Sequence, residues 1–143
     1  MTVTGDAELI AILQTAPKLA MKSLALGLHQ EARGIMNHSK RDYVPVDNGI
    51  LRASAVVGRP QIIGTTIRVQ FGYGGAAAAY SIVQHEDTSL SHPPKNPRRT
   101  GTRSSKRPGR AHYLSQAVAD MAPGMSARLA VSVQAMFASI GKA

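Results

Sequence analysis

Residues 43–54 read YVPVDNGILRAS, and this stretch marks the change from a helical pattern to a strand pattern. Pro45 disfavours helical dihedral angles at Val44, so a preceding helix must end there. The Asp47–Gly49 triplet combines side chains that hydrogen-bond locally with a glycine able to adopt positive φ. The stretch therefore predicts the end of a helix, a turn, and then a segment, Leu51–Val57, that can enter a sheet.

Upstream of this turn, apolar residues recur at steps of three and four, the spacing of one face of a helix. We expect a short helix over Asp6–Thr15, with Asp6 as its cap. A longer helix is expected from Pro17 to about Arg41, because proline needs no N–H at the first helical position. The apolar stripe of this longer helix comprises Met21, Leu24, Leu28, Ala32 and Ile35.

Downstream, two strands are expected, over Ala53–Val57 and Ile62–Gly72. Alternation of apolar and polar residues over Thr66–Phe71 is typical of a half-buried strand. A short helix over Ala76–Glu86 follows, and its apolar face comprises Ala79, Ile82 and Val83. Helical spacing resumes at Ala111, where Pro123-Gly124 predicts a kink or two abutting helices. The apolar positions of this last pattern are Leu114, Val118, Met121, Met125, Leu129, Val133, Met136 and Ile140.

The length of 143 residues suits a single domain, residues 1–143, with a core of its own. We expect an α+β fold in which a small antiparallel sheet packs against a long N-terminal helix and a C-terminal helix. The chain has no cysteine, which excludes disulfides, thiolate metal sites and a cysteine nucleophile. Without a secretory signal or a membrane-spanning run, it is expected to be soluble and made in the cytoplasm.

The net charge of +9 is concentrated in one segment. Residues 87–110 form a long, proline-containing basic loop that is unsuited to a helix or a central strand. Outside residues 93–112, which hold seven basic and no acidic residues, the chain has ten basic and eight acidic residues, a net charge of only +2. We expect the seven basic residues of the loop to contact a partner or DNA: Lys95, Arg98, Arg99, Arg103, Lys106, Arg107 and Arg110.

The turn also resembles the VPVDTG-LR-S signature of the tail-component and head–tail joining proteins of long-tailed bacteriophages. Its motif residues here are Val44, Pro45, Val46, Asp47, Asn48, Gly49, Leu51 and Arg52, followed by Ala53-Ser54. Asn48 stands where threonine is usual, and either residue fits a turn of this kind. Three later blocks follow in the same order as in that family: Tyr73-Gly74, Tyr80–Glu86 and Tyr113–Ala117.

The resemblance implies a structural protein of the virion neck, assembled in the host cytoplasm, that joins head to tail as a ring. The six-fold symmetry of such tails favours six copies. Implied partners are further copies of the chain, neighbouring neck or adaptor proteins, and tail-tube or terminator proteins. The alternatives are a tail terminator, a minor capsid component, or a basic nucleic-acid-binding protein that acts through residues 95–110. For the basic loop, contact with an adjacent ring ranks ahead of non-specific contact with DNA in the lumen.

Sites for chemistry are weakly indicated. His85-Glu86 with His92 offers too few clustered ligands to predict a metal site. Ser104-Ser105 has no nucleophile elbow, and Tyr73–Gly75 lacks the ending of a phosphate loop. We therefore expect no enzymatic activity, no cofactor and no metal. The methionines Met121, Met125 and Met136 are read as core residues, with a subunit seam as the alternative.

Overall fold

The computed structural model describes residues 6–45, 49–75, 78–89 and 111–140 of the 143. These residues form an α+β fold in which two small antiparallel sheets pack against a long N-terminal helix. The elements are α1 (Asp6–Asp42), α2 (Ile50–Ala53), β1 (Ala55–Val57), β2 (Gln61–Ile63), β3 (Thr66–Arg68), β4 (Phe71–Tyr73), α3 (Ala78–Glu86), α4 (Tyr113–Met121) and α5 (Met125–Ile140). The predicted fold class is therefore confirmed for this part of the chain.

Helix α1 is one continuous helix of 37 residues, about 55 Å long at 1.5 Å per residue. The prediction of a break before Pro17 is wrong, because this proline lies inside the helix. A proline removes one N–H and crowds the carbonyl four residues earlier, which weakens a helix locally. The helical turns on both sides keep their own backbone bonds, and the helix continues through Pro17 to Asp42.

The turn after α1 confirms two predictions and corrects a third. The helix ends at Asp42, just before the segment restricted by Pro45, and Gly49 adopts φ 76°. Leu51, however, lies in the short helix α2, and the strand begins only at Ala55. The Ala53 N–H donates to the Gly49 carbonyl at 2.9 Å, which closes a helical turn before the chain can extend. Residues 46–48 of the motif lie outside the described residues.

The four strands form two separate two-stranded sheets, so the predicted strand Ile62–Gly72 is wrong as one element. The Gly64-Thr65 turn folds β2 onto β3, and β4 leaves that hairpin to pair with β1. The alternation over Thr66–Phe71 is nevertheless confirmed, because Ile67, Val69 and Phe71 are half-buried between exposed residues. The observed strand pairing differs from the predicted one, but the predicted alternation of side chains is correct, because burial has a period of two residues in either arrangement.

Helices α4 and α5 pack along α1, and the break between them falls at the predicted Pro123-Gly124. The predicted apolar positions of both helices are half-buried, including Met121, Met125 and Met136. The fully buried apolar side chains lie on other residues: Ala25, Ala32, Ile35, Met36, Val44, Leu51, Tyr113 and Ala117. Gly27 allows close approach, since a Cβ there would lie 3.1 Å from the Leu129 side chain.

Candidate functional site

The seven basic residues expected to contact a partner or DNA all lie in residues 90–110, outside the described part of the chain. The structure does define both flanks of that segment. Helix α3 ends at Glu86 on one side, and α4 begins at Tyr113 on the other. The two flanks are adjacent, because the His112 N–H donates to the His85 carbonyl at 2.7 Å. The basic segment therefore leaves and re-enters the fold at one place.

The resemblance motifs meet at a buried cluster beside this place. Val44, Leu51 and Tyr113 form its apolar centre, each no more than 3% exposed, and Tyr73 packs against them. The Tyr73 and Tyr113 rings contact edge to face, with centroids 5.1 Å apart. We call the following six residues the Tyr113 hub: Ser39, Val44, Leu51, Tyr73, Ser81 and Tyr113.

A chain of hydrogen bonds satisfies the polar groups of the hub. The Tyr73 hydroxyl donates to Ser39 Oγ at 2.9 Å, and Ser39 Oγ donates to the Tyr113 carbonyl at 3.0 Å. The Tyr113 hydroxyl donates to the Ser81 carbonyl at 2.8 Å, which fixes α3 to α4. Burial raises the pKa of Tyr73 to about 12, so its hydroxyl remains a neutral donor. Arg52 lies close enough to oppose that shift, and its buried Nε has no hydrogen-bond partner among the described residues.

Three side chains of types that can ligate a metal lie close together at the C-terminal end of α3. The ligand atoms of His85, Glu86 and His112 all lie within 4.8 Å of one another. His85 Nδ1 lies 2.6 Å from Glu86 Oε1, and its Nε2 lies 3.2 Å from Ser115 Oγ. The His85 ring also contacts the rings of His112 and Tyr113 edge to face, at 5.3 and 5.0 Å. His92, which the sequence offers beside His85 and Glu86 in a set of too few ligands to predict a metal site, lies outside the described residues.

A second polar cluster joins α1 to α4. His38 Nδ1 lies 2.7 Å from Asp42 Oδ2, and its Nε2 lies 2.9 Å from Asp120 Oδ2. Asp120 also accepts hydrogen bonds from the Tyr43 hydroxyl and from Gln116 Nε2. These bonds, that of Tyr43 first, lower the pKa of Asp120 to about 2. The cluster fixes the register of two helices and offers no nucleophile.

An ion pair between Glu31 and Arg128 joins α1 to α5. Arg128 Nε and Nη2 donate to the two carboxylate oxygens of Glu31 at 2.8 and 2.7 Å. Arg128 also donates to the carbonyls of Met121 and Pro123, where α4 ends. The hydrogen bond from Arg128 lowers the pKa of Glu31. This arrangement satisfies the end of α4 and is structural.

Large apolar side chains remain exposed on several elements. In α3, Ile82 and Val83 are 65% and 54% exposed, so the predicted apolar face of this helix points to solvent. Strand β2 exposes Ile62 and Ile63 at 46% and 59%. The others among the described residues are Leu19, Leu26, Ile50, Val56, Val131 and Phe137. Exposed apolar groups of this kind, where they cluster, mark surfaces that a partner covers.

Comparison of the chain with protein-family models, with curated proteins and with solved structures finds no significant match. Within the described residues, no helix has both the length and the apolar character needed to cross a membrane. The resemblance to the phage neck family therefore stays a hypothesis carried by its motif residues.

Sequence reasoning missed Ser39 and His112. Ser39 follows Ile35 and Met36 by four and three residues, so helical spacing is a signal that could have assigned it to the buried face of α1. No comparable signal marked His112. Its proximity to His85 depends on where the chain returns after residues 87–111, and that return is set by tertiary packing.

Proposed function

We propose that the protein is a structural component of the neck of a long-tailed bacteriophage, where it joins head to tail as a ring of identical subunits. One observation supports this most directly. Each of the four sequence blocks that carry the resemblance contributes to the Tyr113 hub: the turn motif supplies Val44 and Leu51, and the later blocks supply Tyr73, Ser81 and Tyr113. Blocks scattered from residue 44 to residue 117 thus act together, as parts of one folding motif would.

The hub is buried, so a function in assembly must use surfaces elsewhere. A closed ring of identical subunits needs two different surfaces on each copy, one of which covers the other on its neighbour. The α3 patch, Ile82 and Val83, and the β2 patch, Ile62 and Ile63, are two such apolar surfaces on separate elements. We assign these two patches to the contact between neighbouring subunits.

The basic segment fits the same role as an arm that meets an adjacent component. It starts and ends beside α3, so a subunit contact through α3 would hold the base of the arm in place. Seven cations without an acidic residue between Pro93 and His112 favour an acidic partner surface. The role is structural and involves no catalysis.

Native mass spectrometry and negative-stain imaging of the purified protein test the ring directly. We expect closed rings, six copies being favoured, that are lost in the single variants Ile82→Asp and Ile63→Asp. Both side chains are exposed, so neither charge should unfold the subunit. Val131→Asp in α5, where the side chain is 62% exposed, is the matched control and should still assemble. A protein that stays monomeric at every concentration, with or without these changes, contradicts the proposal.

DNA binding is the alternative that the charge of residues 95–110 favours. If about seven phosphates were neutralised, DNA affinity should fall with a log–log salt slope near −6. A variant with Arg98, Arg99, Arg103 and Arg107 changed to serine separates the two functions. Under the proposal, the wild type binds DNA negligibly at physiological salt, and the variant forms rings but fails to join heads to tails. Tight DNA binding at that salt, with normal joining by the variant, supports the alternative instead.

A further inference from the structure

We propose that His85, Glu86 and His112 form a binding site for a divalent transition-metal ion, with Zn²⁺ the best-suited ion. Two imidazoles and one carboxylate are a ligand set that zinc accepts, with a fourth position left for water or another ligand. The three residues come from the end of α3 and the start of α4, two elements separated by more than 20 residues of chain. The site is independent of the neck function.

The distances between the three ligand atoms are compatible with binding of one metal ion. Ligand atoms about 2.1 Å from a tetrahedral zinc lie roughly 3.4 Å from each other. The three ligand atoms here already lie within 4.8 Å of one another, so small side-chain movements would bring them to the separation that zinc requires. The Glu86 side chain is 65% exposed and His112 is exposed, so both can rotate without disturbing the core.

His85 is already oriented as a metal ligand would be. Metal-bound histidines usually donate their other ring N–H to a nearby acceptor, which fixes the tautomer and the ring plane. With Nδ1 toward Glu86 and the metal position, Nε2 faces Ser115 Oγ at 3.2 Å. The Tyr113 ring packs edge to face against the same imidazole at 5.0 Å. Because Tyr113 is 2% exposed and belongs to the hub, the orientation of His85 is coupled to the core.

The backbone at His112 adds a second reason. His112 has φ 54°, and it is the one non-glycine residue with positive φ in the described ranges. Few non-glycine residues adopt this left-handed conformation, and histidine is among those enriched in it. The His112 N–H donates to the His85 carbonyl at 2.7 Å, and the two rings lie 5.3 Å apart. The His112 ring is therefore placed where it can supply a third metal ligand beside His85 and Glu86.

Isothermal titration of the full-length protein with Zn²⁺ tests the site. We expect one ion per chain, and a rise of about 5 °C or more in melting temperature once zinc greatly exceeds its dissociation constant. His112→Asn removes the ligand while keeping a residue that tolerates positive φ. This variant and His85→Gln should each weaken zinc binding at least about tenfold, and Glu86→Gln should do the same.

The matched control is His38→Gln. His38 also lies between carboxylates, but Asp42 and Asp120 contact its opposite ring nitrogens, so the three cannot close on one ion. Zinc affinity should therefore be unchanged in this variant. Replacing Zn²⁺ by Co²⁺ reports on the site directly, because four-coordinate cobalt absorbs visible light. We expect this absorption band in the wild type and its loss in His112→Asn. No zinc binding, a stoichiometry of one ion per two chains, or equal affinity in His112→Asn and wild type would each overturn the proposal.

Discussion

The two ends of helix α1 are packed very differently. Toward its C-terminal end, Ile35, Met36 and Ser39 are at most 2% exposed, and Ser39 belongs to the Tyr113 hub. Farther toward its N-terminus, α1 lies along α5, to which Ser23 and Glu31 are bonded, and no residue of α5 is fully buried. Across that contact, Leu26 on α1 and Val131 on α5 remain more than 60% exposed.

The difference follows from how many chain segments meet at each end. The hub collects residues from the end of α1, from the turn after it, from β4, from α3 and from α4, so each side chain is enclosed. The α1–α5 contact is made by two helices, and a helix that packs against one neighbour leaves its other faces in water. We infer that stability is concentrated in the hub, while the α1–α5 end contributes mainly shape and surface.

The largest expected effect compares two substitutions by aspartate. Leu51→Asp places an unpaired carboxylate in the hub, where Leu51 is 3% exposed, and should destabilise the fold by more than about 4 kcal/mol. Val131→Asp on α5 should cost less than about 1 kcal/mol, because its side chain is 62% exposed. Urea unfolding of both variants measures the contrast. Similar losses at the two positions would show that the α1–α5 end is as much a core as the hub.

A smaller effect compares two serines of the same helix. Ser39→Ala deprives the Tyr73 hydroxyl of its acceptor and the Tyr113 carbonyl of one donor, so it should cost about 1 to 3 kcal/mol. Ser23→Ala removes one half-buried bond to the Ser132 carbonyl on α5 and should cost less than about 1 kcal/mol.

The double variant Ser39→Ala/Tyr73→Phe refines the comparison. In the double variant, residue 73 has no hydroxyl that could be left without an acceptor. The double change should therefore reduce the free energy of unfolding by less than the sum of the two single changes. Thermal or urea unfolding of the four proteins completes this cycle. Strict additivity would mean that the two side chains do not interact as the geometry indicates.

The smallest effect concerns pH and the cluster that joins α1 to α4 near the hub. The folded pKa of Asp120, about 2, lies below that of an unfolded aspartate, near 3.9. Its carboxylate therefore stabilises the fold at neutral pH, and this contribution is lost as the pH falls from about 4 to about 2. Asp120→Asn should be less stable than wild type at pH 7, and the difference should shrink over that window. A difference that is constant from pH 7 to pH 2 would exclude the charge as its source.

Much of the fold could be predicted because local rules determine it. Pro45 ends α1, Gly49 adopts positive φ, and Pro123-Gly124 divides the C-terminal helices, each for a reason that involves only neighbouring backbone. The alternation before Phe71 likewise predicted which side chains are half-buried. The local errors were Pro17, which a long helix tolerates, Leu51, which lies in the short helix α2, and the strand through Gly64, which folds into a hairpin.

What the sequence determined by itself was the α+β class, where α1 ends and where the C-terminal helices divide, the concentration of charge in residues 87–110, and the motif that suggests a neck protein. Only the tertiary structure decided which residues meet: Ser39 with Tyr73 and Tyr113, and His85 with Glu86 and His112. Periodicity describes one element at a time, so it can say which face of a helix is apolar. It cannot say which other segment returns to that face, because that choice depends on long-range packing of the whole chain.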